Sequence, residues 1–155
     1  MGKSGWRGAR LFAYGTLMVP SVAEAVLGRR PLSLPATLDG YARFRVWGED
    51  FPGVIPCADH STTGVLYTGL RADELSVLDR FEGAWYARER VVVGTVDVRR
   101  VSAYVYAIRP EYRAILTQES WDAVRFAREK ARAFVRAYAG FRRLRLDAQP
   151  DSIRS

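Results

Sequence analysis

The alternation of apolar and polar positions along the chain predicts short strands interspersed with helices. Runs rich in aromatic and β-branched residues, bounded by glycine, proline or aspartate, are typical of strands. They cover residues 10–14, 36–47 (one strand or two, broken at 39–40), 62–70, 86–93 and 98–108. This irregular order favours an α+β fold, a small mixed β-barrel or strongly curled sheet with flanking helices, over a doubly wound sheet.

Two helices are predicted within the strand-rich part of the chain. The first is expected to begin at Ser21, because Ser21 and Glu24 have the spacing of a capping box, and to end at Gly28. The second runs from residue 71 or 72 to 82, with acidic residues in its first turn and Gly83 as a left-handed stop.

The length of the chain predicts one domain. Its 155 residues suffice for one hydrophobic core and are too few for two. A third, amphipathic helix at about 119–139 is expected to pack on that core. We expect residues 1–9 to be disordered, 10–140 to form the domain, and 141–155 to be a basic, mobile tail.

The charge is strongly basic, with 24 Lys and Arg against 17 Asp and Glu and a net charge of +7. Much of the excess lies in residues 125–145, which is typical of a solvated helix face and tail. A nucleic-acid-binding barrel is the less favoured alternative, because it would interleave basic residues with exposed aromatics on its strands.

The single cysteine, Cys57, excludes an intrachain disulfide. No apolar run approaches the roughly 18 residues of a membrane helix, and no signal peptide is recognisable, so a cytoplasmic protein without a membrane partner is expected. Cys57 and His60 lie three apart in an expected loop, too few ligands for a metal site. We therefore expect neither a metal nor a cysteine nucleophile.

Glu82 is the most unusual acidic residue in the pattern. It shares a helix face with the leucines Leu75 and Leu78, and aromatic residues flank it. Burial and the negative end of the helix both favour the neutral acid, and a glutamate with a raised pKa can accept and donate a proton. The alternative is a structural ion pair with one of three nearby arginines: Arg80, Arg88 or Arg90.

A second candidate site is the loop that follows the first strand, in the segment 13–20 (AYGTLMVP). A strand that ends at a glycine before a helix leaves several main-chain N–H groups without regular partners, a cradle for an anion or a carbonyl oxygen. The loop is neither a dinucleotide fingerprint nor a phosphate-binding P-loop.

Three stretches in order resemble the gamma-glutamylcyclotransferase-like superfamily, which includes gamma-glutamylamine cyclotransferases and plant avirulence-induced-type proteins. They are YGTL (14–17), FPGVIP (51–56) and FEG-x-x-Y-x-R (81–88), and the similarity extends over about 11–138. The resemblance implies a mixed barrel with flanking helices, no metal and no cofactor.

The resemblance also implies the chemistry. The α-amine of a γ-glutamyl small molecule would attack its own γ-carbonyl group, releasing 5-oxoproline and a free amine or amino acid. Glu82 would be the general acid and base, and the loop formed by Tyr14, Gly15, Thr16 and Leu17 would hold the glutamyl group. Candidate hydroxyl donors to the substrate are three tyrosines that could equally be aromatic core: Tyr86, and Tyr104 or Tyr106.

Two points stay open at this stage. A non-catalytic small-molecule binding module on the same scaffold is the alternative to an enzyme, because a fold tolerates loss of activity. The leaving amine and the oligomeric state are not predicted.

Overall fold

Five strands form a closed barrel, which confirms the predicted α+β class. The computed structural model describes residues 8–97 and 99–138, so the expectations for residues 1–7 and for the tail 141–155 lie outside the described residues. The strands are β1 (Ala9–Ala13), β2 (Ser33–Arg45), β3 (Pro52–Leu70), β4 (Tyr86–Thr95) and β5 (Arg100–Ile108). Their order around the barrel is β1-β3-β2-β4-β5. The barrel closes where β1 runs antiparallel to β3 and parallel to β5.

Helices and short turns flank the barrel. The helices are α1 (Pro20–Leu27), α2 (Ala72–Glu82) and α3 (Ala123–Glu129), and a further helical segment covers 131–138. Two 3-10 turns cover Thr16–Met18 and Pro110–Ile115. Within the described part of the chain, no helix is long and apolar enough to cross a membrane.

The helix ends differ in part from the predictions. The capping box at Ser21 is wrong: α1 begins one residue earlier at Pro20, whose fixed φ and missing N–H suit a first helical position. Gly28 ends α1 in the left-handed conformation, as expected. Gly83 also has a positive φ, but its ψ of −168° places it in an extended region that only glycine adopts readily.

The third helix is shorter than predicted. Asp122 caps its start by accepting a 3.0 Å hydrogen bond from the Arg125 N–H, and the helix breaks at Lys130 before the segment 131–138. Trp121 therefore lies ahead of the helix, and its indole N–H donates to the Asp50 carbonyl at 2.7 Å.

The hairpin of β2 and β3 is longer and more regular than the sequence indicates. β2 is one strand whose register shifts between Asp39 and Tyr41, at Gly40. β3 begins at Pro52, so Cys57 and His60 lie in a strand and the expected loop is wrong. The Cys57 Sγ atom is 3.0 Å from His60 Nδ1, and the described residues contain no cluster of three or more potential metal ligands.

Two apolar clusters stabilise the fold. One fills the barrel with side chains such as Phe12, Leu38, Leu66 and Val105. The other lies between the barrel and the helices and includes Tyr86, Tyr106 and Trp121 among its buried members. The sheet surface that supports the candidate site is therefore buried on both sides.

Gly64 allows β3 to lie close against the end of β1. A Cβ atom at this position would lie 2.3 Å from the Ala13 carbonyl oxygen, a main-chain atom that cannot move without opening the barrel. We expect Gly64→Ala to lower the free energy of unfolding by about 1–3 kcal/mol, measured by denaturant titration.

Gly94→Ala is the matched control for Gly64→Ala. Gly94 also lies in a strand and has no positive φ, but a Cβ atom added there would have its nearest neighbour, the Thr37 carbonyl oxygen, at 4.0 Å. Alanine there should be neutral or slightly stabilising through the unfolded state. Equal stability of the two variants would contradict the steric argument.

Candidate active site

A cavity of about 120 Å³ lies where the end of β1, the loop after it, the last turn of α2 and strands β4 and β5 meet. Its wall combines loop backbone, one carboxyl group and aromatic rings. The lining residues are Leu11, Phe12, Ala13, Tyr14, Gly15, Thr16, Leu17, Phe51, Pro52, Phe81, Glu82, Tyr86, Tyr106 and Phe134. The two stretches singled out in the sequence, 14–17 and Glu82, thus meet at one cavity.

Glu82 brings a carboxyl group to the cavity wall. It is the last residue of α2 and lines the cavity. Among the described residues, no group donates a hydrogen bond to its carboxylate or forms an ion pair with it. Although the residue as a whole is only half-buried, desolvation raises the pKa of its carboxyl group to about 8. Such a group can exchange protons near neutral pH.

The arginines considered as partners of Glu82 are engaged elsewhere or exposed. Arg88 pairs with Asp79 at 3.0 Å, and Arg90 donates to the Ser102 hydroxyl at 3.0 Å. Arg80 is exposed on the surface of α2. The structural ion pair is therefore not formed in the part of the chain that the structure describes.

The loop beside Glu82 has main-chain donors that the described residues leave free. Its 3-10 turn uses the carbonyl groups of Gly15 and Thr16, which accept from Met18 and Val19. Within residues 8–97 and 99–138, no group accepts a hydrogen bond from the N–H of Gly15, Thr16 or Leu17. Three adjacent donors at a cavity wall can bind a carboxylate or a developing oxyanion.

Contacts on both sides hold this loop in place. Arg43 donates to the Tyr14 carbonyl at 2.8 Å, and the Tyr67 hydroxyl donates to the Leu17 carbonyl at 2.6 Å. Gly15 lies so close to Pro52 that a Cβ would come within 3.0 Å of the proline ring. The donors are therefore preorganised.

The tyrosine hydroxyls already donate within the protein. Tyr14 donates to the Tyr106 carbonyl at 2.5 Å, Tyr86 to the Pro52 carbonyl at 2.8 Å, and Tyr106 to Asp79 at 2.6 Å. Burial raises the pKa of all three hydroxyls, and the nearby Glu82 raises each further, so they stay neutral. Their oxygens can still accept from a ligand.

Tyr104 does not line the cavity. Its ring lies beneath the guanidinium groups of Arg88 and Arg90, at 4.6 and 5.0 Å. Of the two alternatives on β5, the structure therefore brings Tyr106 to the site and leaves Tyr104 outside it.

Two residues that position the site were not predicted from the sequence. Asp79 joins the last turn of α2 to β5 through Tyr106, and Arg43 supports the loop from β2. Asp79 could have been found, because it lies one turn before Glu82 on the same helix. Nothing in the sequence around Arg43 indicates that it reaches the loop.

Most of the residues that form this site lie in a segment that matches a known family. A family model described as gamma-glutamyl cyclotransferase, AIG2-like, matches residues 11–123. The chain belongs to this family. The match covers the loop, Glu82 and the barrel strands, so the gamma-glutamyl cyclotransferase family, which acts on γ-glutamyl small molecules, supplies the class of reaction to be considered.

Relatives of known sequence and structure agree with this assignment. AIG2-like protein D of Arabidopsis thaliana is 34% identical over 117 residues, covering 72% of this chain and 77% of the relative. The solution structure of another Arabidopsis thaliana protein is 26% identical, with a TM-score of 0.65 over 84% of this chain and 87% of that one. A structure named gamma-glutamyl cyclotransferase has a TM-score of 0.58 over 65% of this chain and 66% of its own, and at 16% identity it shows the shared fold.

Proposed function

We propose that this chain is a gamma-glutamyl cyclotransferase that releases 5-oxoproline and a free amine or amino acid from a γ-glutamyl small molecule. Glu82 is the general acid and base. The observation that carries the proposal is a carboxyl group at the cavity wall beside three main-chain N–H groups, all of which lack a hydrogen-bonding partner among the described residues.

The first step is proton removal followed by ring closure. The α-ammonium group of the substrate cannot attack until it loses a proton, which the Glu82 carboxylate accepts. The amine nitrogen then bonds to the γ-carbonyl carbon, and the carbonyl electron pair moves onto oxygen. Donors from Gly15 to Leu17 support this proposal, because they can stabilise either that oxyanion or the substrate's α-carboxylate.

The second step breaks the amide. Protonated Glu82 gives its proton to the leaving nitrogen as the oxyanion collapses and the carbon–nitrogen bond breaks. The regenerated carboxylate takes the remaining extra proton from the ring nitrogen and passes it to the released amine. Two protons thus move from the α-nitrogen to the leaving nitrogen, and because attack is intramolecular, no nucleophilic side chain is required.

The test of the proposal is product formation. The purified protein is incubated with a panel of γ-glutamyl amino acids and γ-glutamylamines, and 5-oxoproline is measured by chromatography. We expect 5-oxoproline from at least one member in amounts that increase with enzyme and time. Binding of panel members without any product would instead indicate the non-catalytic binding module.

The pH dependence of kcat/KM should report the ionisation of the Glu82 carboxyl group. Because the free enzyme must hold Glu82 as the carboxylate to accept the ammonium proton, and its pKa is about 8, kcat/KM should fall about tenfold per pH unit below pH 8. An ordinary glutamate would place this limb near pH 4 to 5. A rate that stays constant from pH 5 to 8, for two substrates with different leaving amines, would contradict the assignment.

A further inference from the structure

The barrel is incompletely paired between β2 and β4. Two residue pairs join these strands, the second being Thr37 with Gly94, and no later pair follows among the described residues. From Leu38 onward the ladder stops, and an open groove of about 420 Å³ lies between the strands. The lining of this groove shares no residue with the cavity that contains Glu82, so the groove is separate from the active site.

Apolar side chains line much of the groove. Leu38 is buried in the apolar cluster inside the barrel, and Tyr41 and Val91 pack against that cluster. Val92 also lines the groove, with 50% of its surface exposed. Because contact of apolar groups with water is unfavourable, the groove favours a ligand that has an aromatic or alkyl group.

A compact basic cluster adjoins the groove. Arg90 lines the groove, and its guanidinium group lies 5.0 Å from the ring centroid of Tyr104. The guanidinium group of Arg88 lies 4.6 Å from the same centroid. Strand alternation places both arginines on one face of β4, and Arg90 is paired in register with Tyr104. Two positive charges are therefore held beside one ring.

The protein compensates the charge of this cluster only in part. Arg88 pairs with Asp79 at 3.0 Å. No described carboxylate pairs with Arg90, which donates to the neutral Ser102 hydroxyl at 3.0 Å. Within the described residues, the Tyr104 hydroxyl also has no hydrogen-bonding partner. Because a guanidinium group is a fork of N–H donors that matches phosphate oxygens, an anion with several oxygens can accept from both arginines.

The opposite wall of the groove disfavours a chain of phosphates. Asp39 lines the groove from β2, and its carboxylate accepts a 2.7 Å hydrogen bond from the Ser61 hydroxyl. A polyanion that followed the groove from Arg90 would bring its next phosphate toward this carboxylate, which repels it. An apolar group meets no such repulsion. The groove therefore favours a small molecule with one phosphate group over a nucleic-acid backbone.

We propose that this groove binds a small organic phosphate monoester. The phosphoryl group accepts hydrogen bonds from Arg90 and Arg88, and the aromatic or alkyl group of the ligand lies against Val91 and Val92. A phosphate monoester carries roughly two negative charges at pH 8, which match two guanidinium groups better than a monoanion does. The site does not depend on the proposed cyclotransferase reaction, and its test requires no turnover.

Three probes separate the phosphate requirement from the apolar requirement. Phenyl phosphate has both features, phenyl sulfate has the same shape with a single charge, and inorganic phosphate lacks the ring. Kd is measured by NMR titration of the full chain at pH 8 and low ionic strength, because salt screens exposed charges. We expect phenyl phosphate to bind at least about fivefold more tightly than either of the others. Equal Kd values for phenyl phosphate and either other probe would overturn the proposal.

The amide signals that shift in this titration locate the bound probe. We expect the largest changes at Arg90, Val92 and Tyr104. The other group of main-chain donors that suits an anion is the loop at 15–17. Largest changes at that loop would assign the probe to the active site and overturn the proposal.

Arg90→Gln and Arg100→Gln form a matched pair of charge variants. Arg90→Gln removes the guanidinium group at the groove and should raise the Kd of phenyl phosphate at least about fivefold. Arg100 is exposed on the same hairpin but does not line the groove, so Arg100→Gln should change the Kd by less than about twofold. Equal effects of the two variants would replace the site by general attraction to a basic surface and overturn the proposal.

Val92→Ser tests the apolar part of the groove. Because half of the Val92 surface is exposed, the fold should tolerate serine there. The variant should weaken binding of phenyl phosphate and leave binding of inorganic phosphate unchanged. An equal loss for both probes, or no loss for either, would contradict the placement of the apolar group.

Two further ligands distinguish the source of the phosphate group. One is a pentaglycine peptide whose central residue is replaced by phosphotyrosine, and the other is decathymidylate, a single-stranded nucleic acid. We expect neither to show binding tighter than that of phenyl phosphate that is lost in Arg90→Gln and kept in Arg100→Gln. Such binding by the peptide would assign the groove to phosphorylated proteins, and by the oligonucleotide to nucleic acid. Either result would overturn the small-molecule ligand.

Discussion

Glu82→Gln will abolish 5-oxoproline release while leaving the barrel folded. Glutamine has nearly the same shape and hydrogen-bonding capacity, but it cannot take a proton from the substrate's ammonium group or return one to the leaving nitrogen. General acid–base catalysis by one residue contributes about 10²–10⁴-fold, and both steps depend on Glu82, so we expect kcat to fall by at least about 10³-fold. Initial rates of product formation test the loss of activity, and a circular dichroism spectrum tests whether the variant is folded.

Glu74→Gln is the matched control. Glu74 is also an acid of α2 and is more deeply buried, with 2% of its surface exposed, but it does not line the cavity. It accepts hydrogen bonds from Arg29 at 2.7 and 2.8 Å. Turnover by Glu74→Gln should stay within about twofold of wild type at a temperature where it is folded. Retained activity in Glu82→Gln, or an equal loss in both variants, would reject the catalytic role.

The contrast between these two acids shows how far the sequence reaches. Both lie on helix α2, and helical spacing alone places Glu82 with Leu75 and Leu78 on a face that must be covered. What the sequence leaves open is the partner. Glu74 is paired with Arg29, which lies 45 positions earlier in the chain, whereas the arginines nearest Glu82 are directed elsewhere. Pairing is decided by tertiary contacts that local patterns do not contain.

The errors in the predicted helices and strands have both tertiary and local causes. The barrel was predictable, because alternation and chain length restrict the possible folds. The strand predicted at 62–70 is shorter than β3, because Pro56 and the polar run around Cys57 and His60 have weak strand propensity. Their pairing with β2 overrides that propensity. The capping box at Ser21 failed because Pro20 offered a better first residue for the helix.

The candidate site was predictable in its reacting groups and not in its walls. The loop and Glu82 stand out locally, the first as a glycine after a strand and the second as an acid on an apolar face. Phe134 carries no such signal, since an aromatic residue on an amphipathic segment is ordinary core. Only the closed barrel and the segment 131–138 bring it to the cavity.

The second large effect of Glu82→Gln is on stability, and it has the opposite sign from the effect on activity. In the unfolded chain Glu82 ionises near pH 4.5, whereas in the folded protein burial raises its pKa to about 8. Between these values the folded state holds a proton that the unfolded state has released, so wild-type stability decreases as the pH increases. Below pH 4 the difference vanishes, and above pH 8 it is constant.

We therefore expect Glu82→Gln to unfold at higher denaturant concentration than wild type at pH 9 and at nearly the same concentration at pH 4. The full difference is up to about 5 kcal/mol, at about 1.4 kcal/mol for each pH unit between the two pKa values. Urea titrations at pH 4, 6, 7.5 and 9 measure it.

Glu74→Gln provides the comparison of opposite sign. Hydrogen bonding to Arg29 holds the pKa of Glu74 below its usual range, so its contribution is present at neutral pH and is lost as the pH falls through the folded value. Its glutamine variant should be less stable than wild type at pH 7 and approach it in acid. If Glu82→Gln instead follows the same course, Glu82 is a structural acid. The other outcome is that the stability of Glu82→Gln relative to wild type increases with pH while turnover is lost. The wild-type fold then keeps a carboxyl group that no described residue pairs with, at a cost in stability, as expected of a group retained for catalysis.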